Sequence, residues 1–337
     1  MTARAAPLRH PARHGGILAA SLGLLLACLL LALGYGETLL SPHEVLRLLA
    51  APDDSLAARI LWELRLPRAL AALAVGGLLA LAGALMQVLL RNPLADPYVL
   101  GISGGAGSGA LLALLAGLGG LLLSGAALAG ALLSTLLVFG LARRGGNLDP
   151  VRLLLTGIVV AAGWGALISF ILVSSPDESL RGMLFWLMGD LSYAVRPGPA
   201  LLVLALGLLA AWPLSRSLNL LVRGEIQAGA LGVDTARLHA LLFGLAALLT
   251  AAAVMQAGGI GFVGLVVPHL LRLAGLRDHR LLLPAAVALG GSLLLLADTL
   301  ARGLLAPREL PVGILTAALG VPVFLYLLNR RERPAHG

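Results

Sequence analysis

Apolar runs of about 20 residues recur along almost the whole chain, broken only at arginine, proline and acidic clusters. A helix that crosses a bilayer needs about that length at 1.5 Å rise per residue. In hydrocarbon every backbone N–H and C=O must also find its partner inside the segment, which leaves the helix as the natural spanning element. The chain is therefore expected to be an all-α polytopic membrane protein. Cutting it at the polar clusters places spans near 16–35, 67–90, 99–119, 121–142, 151–174, 199–213, 239–257, 260–275, 281–300 and 311–328. This count of about ten transmembrane helices rests on a turn at Gly119 and Gly120, where glycine bends the backbone at little steric cost, and on a short eighth segment. Hydrophobic residues make up 59% of the 337 and charged residues 12%, about half the charged share of soluble domains. With aromatics at 4% and alanine, leucine and glycine dominant, the helices should pack through small side chains.

Charge sets orientation and excludes several functions. All 24 basic residues are arginine, and a Walker A loop needs a lysine to reach nucleotide phosphates, so the chain holds no such site. The net charge of +8 comes from arginines that flank apolar segments and form no stripe suited to nucleic acid. With both termini cytoplasmic, sixteen of the 24 arginines fall on the inner side, as the positive-inside rule requires. The lone Cys28 lies in the first apolar run and has no second thiol to pair with. The histidines are scattered without ligand spacing, so no metal site is expected. Three arginines before an apolar run also describe a signal peptide, but the run lacks a small-residue cleavage site and reads as a retained first helix.

This divides the chain into a cytoplasmic tail over 1–15, one transmembrane domain over 16–328 and a second cytoplasmic tail over 329–337. Within the domain, 36–66 forms a periplasmic surface segment. There Ser41 reads as a helix cap, with Pro42 at the first helical position and Glu44 three residues after the cap. The amphipathic stretch "DESLRGMLFWLMGDLS" should form a helix at the outer mouth, with Phe185 and Trp186 either anchoring it at the interface or lining a pore. A polar island over 215–240, "SRSLNLLVRGEIQAGALGVDTARLHA", reads as two short helices broken at Gly232, a cytoplasmic knob for another protein to grip.

Transport chemistry narrows the choice. Gly101, Gly105 and Gly109 share one helix face, which serves close helix packing or a translocation path. The loop "RNPLADP" carries Asn92, Leu94 and two prolines that stop the helix from continuing. Ionisable residues at the bilayer midplane, which ion coupling needs, are nearly absent; Asp298 comes closest and sits near an outer helix end. An ion-coupled secondary transporter or a passive channel is the alternative reading. The missing coupling groups and missing Walker lysine favour a permease driven by a separate ATPase.

Six ordered motifs then carry a family resemblance: "RLPRALAALAVGGLLALAGALMQ", "RNPLADPYVLGISGGAG", "RGEIQAGALGVD", "GGIGFVGLVVPHLLRL", "DHRLLLPAAVALGGSLLLLADTLAR" and "ELPVGILTAALGVPVFLYLL". From about Leu61 to the last span, the chain resembles the permease subunits of type II ABC importers for iron-siderophore, haem and cobalamin. The resemblance implies a cobalamin-permease-like subunit that pairs with a second copy of itself, two ATP-binding subunits and a periplasmic substrate-binding protein. The chain itself would bind no cofactor, with ATP and Mg held by the partner ATPase. It further implies that Arg223, Glu225, Ala228, Leu231 and Gly232 couple to the ATPase, and that Arg65, Arg68 and Arg302 meet acidic residues of the binding protein. Asn92, Leu94, Asn147, Asp149 and Val151 would form the cytoplasmic gate, although Asp149 and Pro150 also make a cap and first turn for the fifth span.

Overall fold

The computed structural model describes residues 11–331 apart from 37, 145–146, 194–195 and 307, so most of both expected tails lies outside the described residues. Helix α1 (Pro11–Gly34) reaches the outer side, followed by α2 (Pro42–Ala50) and α3 (Leu56–Arg59). A π-helical turn over Ile60–Arg65 then runs directly into α4 (Leu66–Leu89). As expected, the Ser41 hydroxyl accepts from the Glu44 N–H and Pro42 opens α2. Helices α5 (Ile102–Leu115), α6 (Gly120–Ala142) and α7 (Pro150–Ser174) come next, then α8 (Asp177–Leu187) on the outer side and α9 (Gly198–Ala211). At the inner side lie α10 (Ser215–Leu221) and α11 (Glu225–Ala230), and the chain ends with α12 (Thr235–Ala257), α13 (Val263–Leu273), α14 (His279–Gly303) and α15 (Val312–Arg331). A two-residue antiparallel pairing, Arg143–Arg144 with Asn147–Leu148, joins α6 to α7.

Seven of these segments are long and apolar enough to cross a membrane, and α5, α13 and α15 supply shorter apolar helices. The expected spans at 99–119 and 260–275 are thus shorter than the sequence pattern indicates. The reason is backbone conformation: Gly101 and Gly117 bracket α5 at φ 70° and 69°, and Gly258 and Phe262 precede α13 at φ 67° and 69°. A right-handed helix cannot run through left-handed residues. Whereas the turn at Gly117 is exposed, the turns before α5 and α13 are largely buried in protein, the condition under which irregular backbone is tolerated at membrane depth. They also brace each other, since the Ile260 N–H donates to the Tyr98 hydroxyl at 3.1 Å and Asp96 caps the Tyr98 N–H at 2.8 Å.

Helix α4 is the centre of the bundle, with nearly every residue from Ala69 to Leu89 buried among α9, α12, α13 and α14. Its approach to two of these neighbours depends on glycine. A Cβ on Gly76 would collide with the Gly290 carbonyl of α14, and one on Gly83 would collide with the Gly264 backbone of α13. Helices in lipid gain nothing from hydrophobic exclusion, so such close dispersion contact is what holds them together. Helix α8 departs from its expected interfacial role: Met183 and Trp186 are buried. The Trp186 ring reaches the α5 surface at Gly107, and its own carbonyl lies against Gly258.

Pro268, Pro284 and Pro322 lie inside helices, and the first two share an arrangement. Proline has no N–H, so Pro268 leaves the Gly264 carbonyl without its helical donor, and Pro284 does the same to Arg280. Each orphaned carbonyl is met by a side chain from another helix or turn. Gln87 Nε2 donates to Gly264 at 3.2 Å and to Leu265 at 3.1 Å, and Trp212 Nε1 donates to Arg280 at 3.0 Å. Replacing Gln87 by leucine should therefore cost about 1–3 kcal/mol, the penalty of a buried unpaired carbonyl, read as a lower thermal midpoint in detergent. Gly83→Ala should destabilise the same preparation more than Gly125→Ala, because a Cβ on Gly125 meets nothing within 4 Å.

Candidate functional site

The inner polar element is built from two short helices, but their break lies elsewhere than expected. Gly224, at φ 129°, separates α10 from α11, whereas Gly232, at φ 84°, separates α11 from α12. Both conformations disfavour a side chain, so one glycine sets the angle between the short helices and the other sets their angle to the next span. Within α11 the faces differ sharply. Ala228 is fully buried, while Ile226 is 90% and Leu231 65% exposed. Arg223 is exposed at the end of α10, where its N–H closes the helix on the Leu220 carbonyl. Ile226 was not singled out by the sequence pattern; the signal was an isoleucine inside an otherwise polar island.

Glu225 does not point straight out. Its carboxylate pairs with Arg91 at 3.4 Å, just past the end of α4, and with the buried His239 of α12 at 3.7 Å. Helix α10 is anchored separately. Asn219 Nδ2 donates to Asp278 at 2.8 Å, while the Asn219 side-chain oxygen accepts from the His279 N–H at 3.1 Å and from His279 Nδ1 at 2.6 Å. Asp278 also caps α14 through the Arg280 N–H at 3.0 Å. Partial burial works against the Asp278 charge, but the Asn219 amide and the Arg280 N–H outweigh it and hold the carboxyl below the usual carboxylate range.

At the outer side the three candidate arginines divide. Arg65 is 6% exposed, and its guanidinium donates to the Leu33 carbonyl at 2.9 Å, Gly34 at 3.2 Å and Thr38 at 2.6 Å. Arg65, expected to meet a partner's carboxylate, is engaged within the chain here. Its donors already tie the end of α1 to the start of α4, and solvent barely reaches it. Arg68 and Arg302 instead converge on Asp298, 2% exposed, at 2.9 Å and 3.2 Å. Arg68 also reaches the exposed Glu309 at 2.8 Å, so its outer edge faces a solvated carboxylate. Asp298, the closest approach to a midplane ionisable group in the sequence, is held by two cations near the outer end of α14.

The gate candidates lie in two segments, the turn after α4 and the chain that enters α7. Asn92 folds its own turn, its Oδ1 accepting from the Leu94 N–H at 2.9 Å, and Leu94 is half-buried. Asp149 caps α7, accepting from the Val151 N–H at 2.8 Å and the Arg152 N–H at 3.4 Å, and Val151 is exposed. Asn147 pairs through its backbone with Arg144. Gly157 of α7 packs on the Val99 carbonyl, in the stretch between the Asn92 turn and α5. Of the three spaced glycines, Gly105 and Gly109 carry the α5–α6 crossing against Gly130 and Ala126. Gly101 is the left-handed cap before α5, its carbonyl accepting from Ser134 Oγ at 2.8 Å. Gly105 and Gly109 thus pack α5 on α6, while Gly101 lies before the helix and does not share the face that the spacing predicted.

Comparison with known proteins gives a consistent neighbourhood. Residues 24–330 match the model of the FecCD transport family. The vitamin B12 import system permease protein BtuC of Escherichia coli O17:K52:H18 (strain UMN026 / ExPEC) is 43% identical over 315 residues, covering 92% of this chain and 94% of that protein. BtuC from Escherichia coli O139:H28 (strain E24377A / ETEC) matches with the same identity and coverage. Among solved structures, a metal-chelate type ABC transporter in an inward-facing conformation superposes with a TM-score of 0.83 at 33% identity, over 94% of this chain and 99% of that one. PsaBC from Streptococcus pneumoniae in complex with Fab shares the fold at a TM-score of 0.51 and 20% identity, over 80% of this chain and 92% of that one.

The outer ion cluster makes a direct stability prediction. Asp298→Ala leaves two shielded guanidiniums facing each other and should cost about 3 kcal/mol, as the loss of one partner from a buried ion pair does. Removing Asp298, Arg68 and Arg302 together should cost less than removing the acid alone, measured by thermal unfolding of the purified protein.

Proposed function

The chain belongs to the FecCD transport family, and from that premise we propose that it imports a corrinoid, as the membrane permease of an ABC importer that carries chelates or corrinoids inward across the bacterial inner membrane. The observation that carries the choice of cargo is the 43% identity to vitamin B12 import permeases over nearly the full length of both chains. The ATPase is a separate subunit in this arrangement, consistent with a sequence that lacks lysine altogether and so cannot form the phosphate-binding loop of such an enzyme.

In this reading α11 docks into the ATPase. An isoleucine and a leucine held outward on a short, glycine-hinged helix give a small apolar anchor of the type that dominates binding energy at interfaces. Arg223 flanks that anchor, Ala228 seats it on the bundle, and Gly232 aims it. Glu225 acts from behind, through Arg91. A second copy would meet the exposed face of α7, where Ala162, Gly163, Gly165, Ala166 and Ser169 form a stripe of small side chains compatible with a wide path between two subunits. Asn92, Leu94, Asn147, Asp149 and Val151 would close its inner end.

Docking of a periplasmic binding protein is assigned to Arg68 and Arg302, with Glu309 as the internal carboxylate that an incoming acidic residue would replace on Arg68. Arginine suits such an exchange because its planar fork accepts carboxylates in paired geometry.

The test is reconstitution in liposomes with the cognate ATPase and binding protein, followed by uptake of cobalamin, several ferric siderophores and haem. ATP-dependent accumulation of cobalamin is the expected result, and accumulation of a siderophore or haem in its place would overturn the cargo assignment. Ile226→Asp should reduce co-purification of the ATPase by at least about tenfold, because burying a carboxylate in an apolar contact is strongly unfavourable; undiminished co-purification would move the docking site elsewhere.

A further inference from the structure

We infer that the α10–α11 element is locked to the bundle by two side-chain clamps, Glu225–Arg91 onto the end of α4 and Asn219–Asp278/His279 onto the start of α14, so that it moves with these two helices as one body. The inference rests on the reading of α11 as the ATPase-facing element, and it assigns Arg91, Glu225 and Asn219 as positioning residues for the transport cycle.

The first support is where the clamps attach. Helices α4 and α14 are themselves joined at Gly76 and Gly290, where their backbones touch, and at the outer side by the Arg68–Asp298 pair. An element pinned to both therefore grips a preassembled two-helix unit, at 3.4 Å through Glu225 and at 2.8 Å through Asn219. A displacement imposed on α11 then has a rigid path into the bundle, which a loop lacking cross-links would absorb.

A second, independent support is the backbone at Arg91. Its φ is 46°, a left-handed conformation that glycine adopts without penalty and that other residues avoid. The residue ends α4, its N–H bonding the Val88 carbonyl at 3.1 Å, a position at which glycine is the usual choice. The chain instead places arginine there and engages its guanidinium with Glu225. Strain retained at a helix end in favour of one ion pair points to a role for that pair.

The third support lies immediately after Arg91 in the chain. Asn92 donates its N–H to the Gln87 carbonyl at 3.1 Å and opens the turn that carries Leu94. The Glu225 clamp thus ends one residue before the proposed gate turn, and a shift of α11 bears directly on it. Both partners are roughly half exposed, so the pair contributes little to folding, and its removal tests positioning more than stability.

The experiment is a charge swap in the full complex. The wild-type chain, Arg91→Glu, Glu225→Arg and the double variant Arg91→Glu/Glu225→Arg are each co-expressed with the cognate ATPase, purified and reconstituted, and substrate transported per ATP hydrolysed is measured. Each single reversal should lower that ratio between about 5- and 150-fold, the range of typical allosteric couplings, and the double variant should recover most of the loss. Asn219→Leu, which removes the second clamp without adding charge, should lower the ratio in the same direction. Single variants that transport like wild type, or a double variant no better than the singles, would overturn the clamp. A wild-type chain that retains no ATPase would overturn the permease reading itself, and the clamp with it. If a single variant fails to yield monodisperse protein, the neutral forms Arg91→Gln and Glu225→Gln apply the same criterion, with no loss in the ratio counting against the proposal.

Discussion

Close backbone contact along α4 is the interaction on which the rest of this structure depends. In lipid there is little to gain by hiding leucine from its surroundings, so helices associate where small residues let main chains touch. Gly76 on Gly290 and Gly83 on Gly264 give α4 two such contacts with different helices. They fix α13 and α14 around one axis and thereby place Asp278 and His279 at the inner end, with Asp298 and Arg302 at the outer end. The functional elements at either surface are positioned by a core that contains almost no chemistry.

Polar groups obey a complementary rule. Where Pro268 and Pro284 break the helical ladder, an amide or indole from another element restores the lost hydrogen bond, as Gln87 and Trp212 do. Where charge enters the bundle it comes with partners, as Asp298 does between two arginines and Arg65 does on three carbonyls. Both arrangements satisfy groups that a low-dielectric medium would otherwise make costly. The result is a bundle whose midplane offers little for an ion to use, which is consistent with driving transport from outside the membrane.

Much of this was legible in the residues. The run lengths gave about ten crossings, which the structure divides into seven long spans and three shorter apolar helices, and Ser41 and Asp149 each cap the helix that comes after them. Those signals are local: a cap or a span is decided within a few residues of itself. The polar island was likewise visible as a pair of short helices between apolar runs. Its hinge lies at Gly224 and not at Gly232; both are glycines in a polar stretch, and only backbone conformation distinguishes a break between helices from the end of one.

What length, hydropathy and capping determined alone was therefore an all-helical membrane protein with its polar elements in order, because these signals act along the chain. What only the tertiary structure decided was which polar side chain meets which. Arg65 turned inward to bind the end of α1, 32 residues away in sequence, while Arg68 found Asp298 at a separation of 230. Glu225 found Arg91 across the same kind of gap. Pairings at that range depend on how helices cross, and helix crossings are set by the sum of many small contacts that no single motif records.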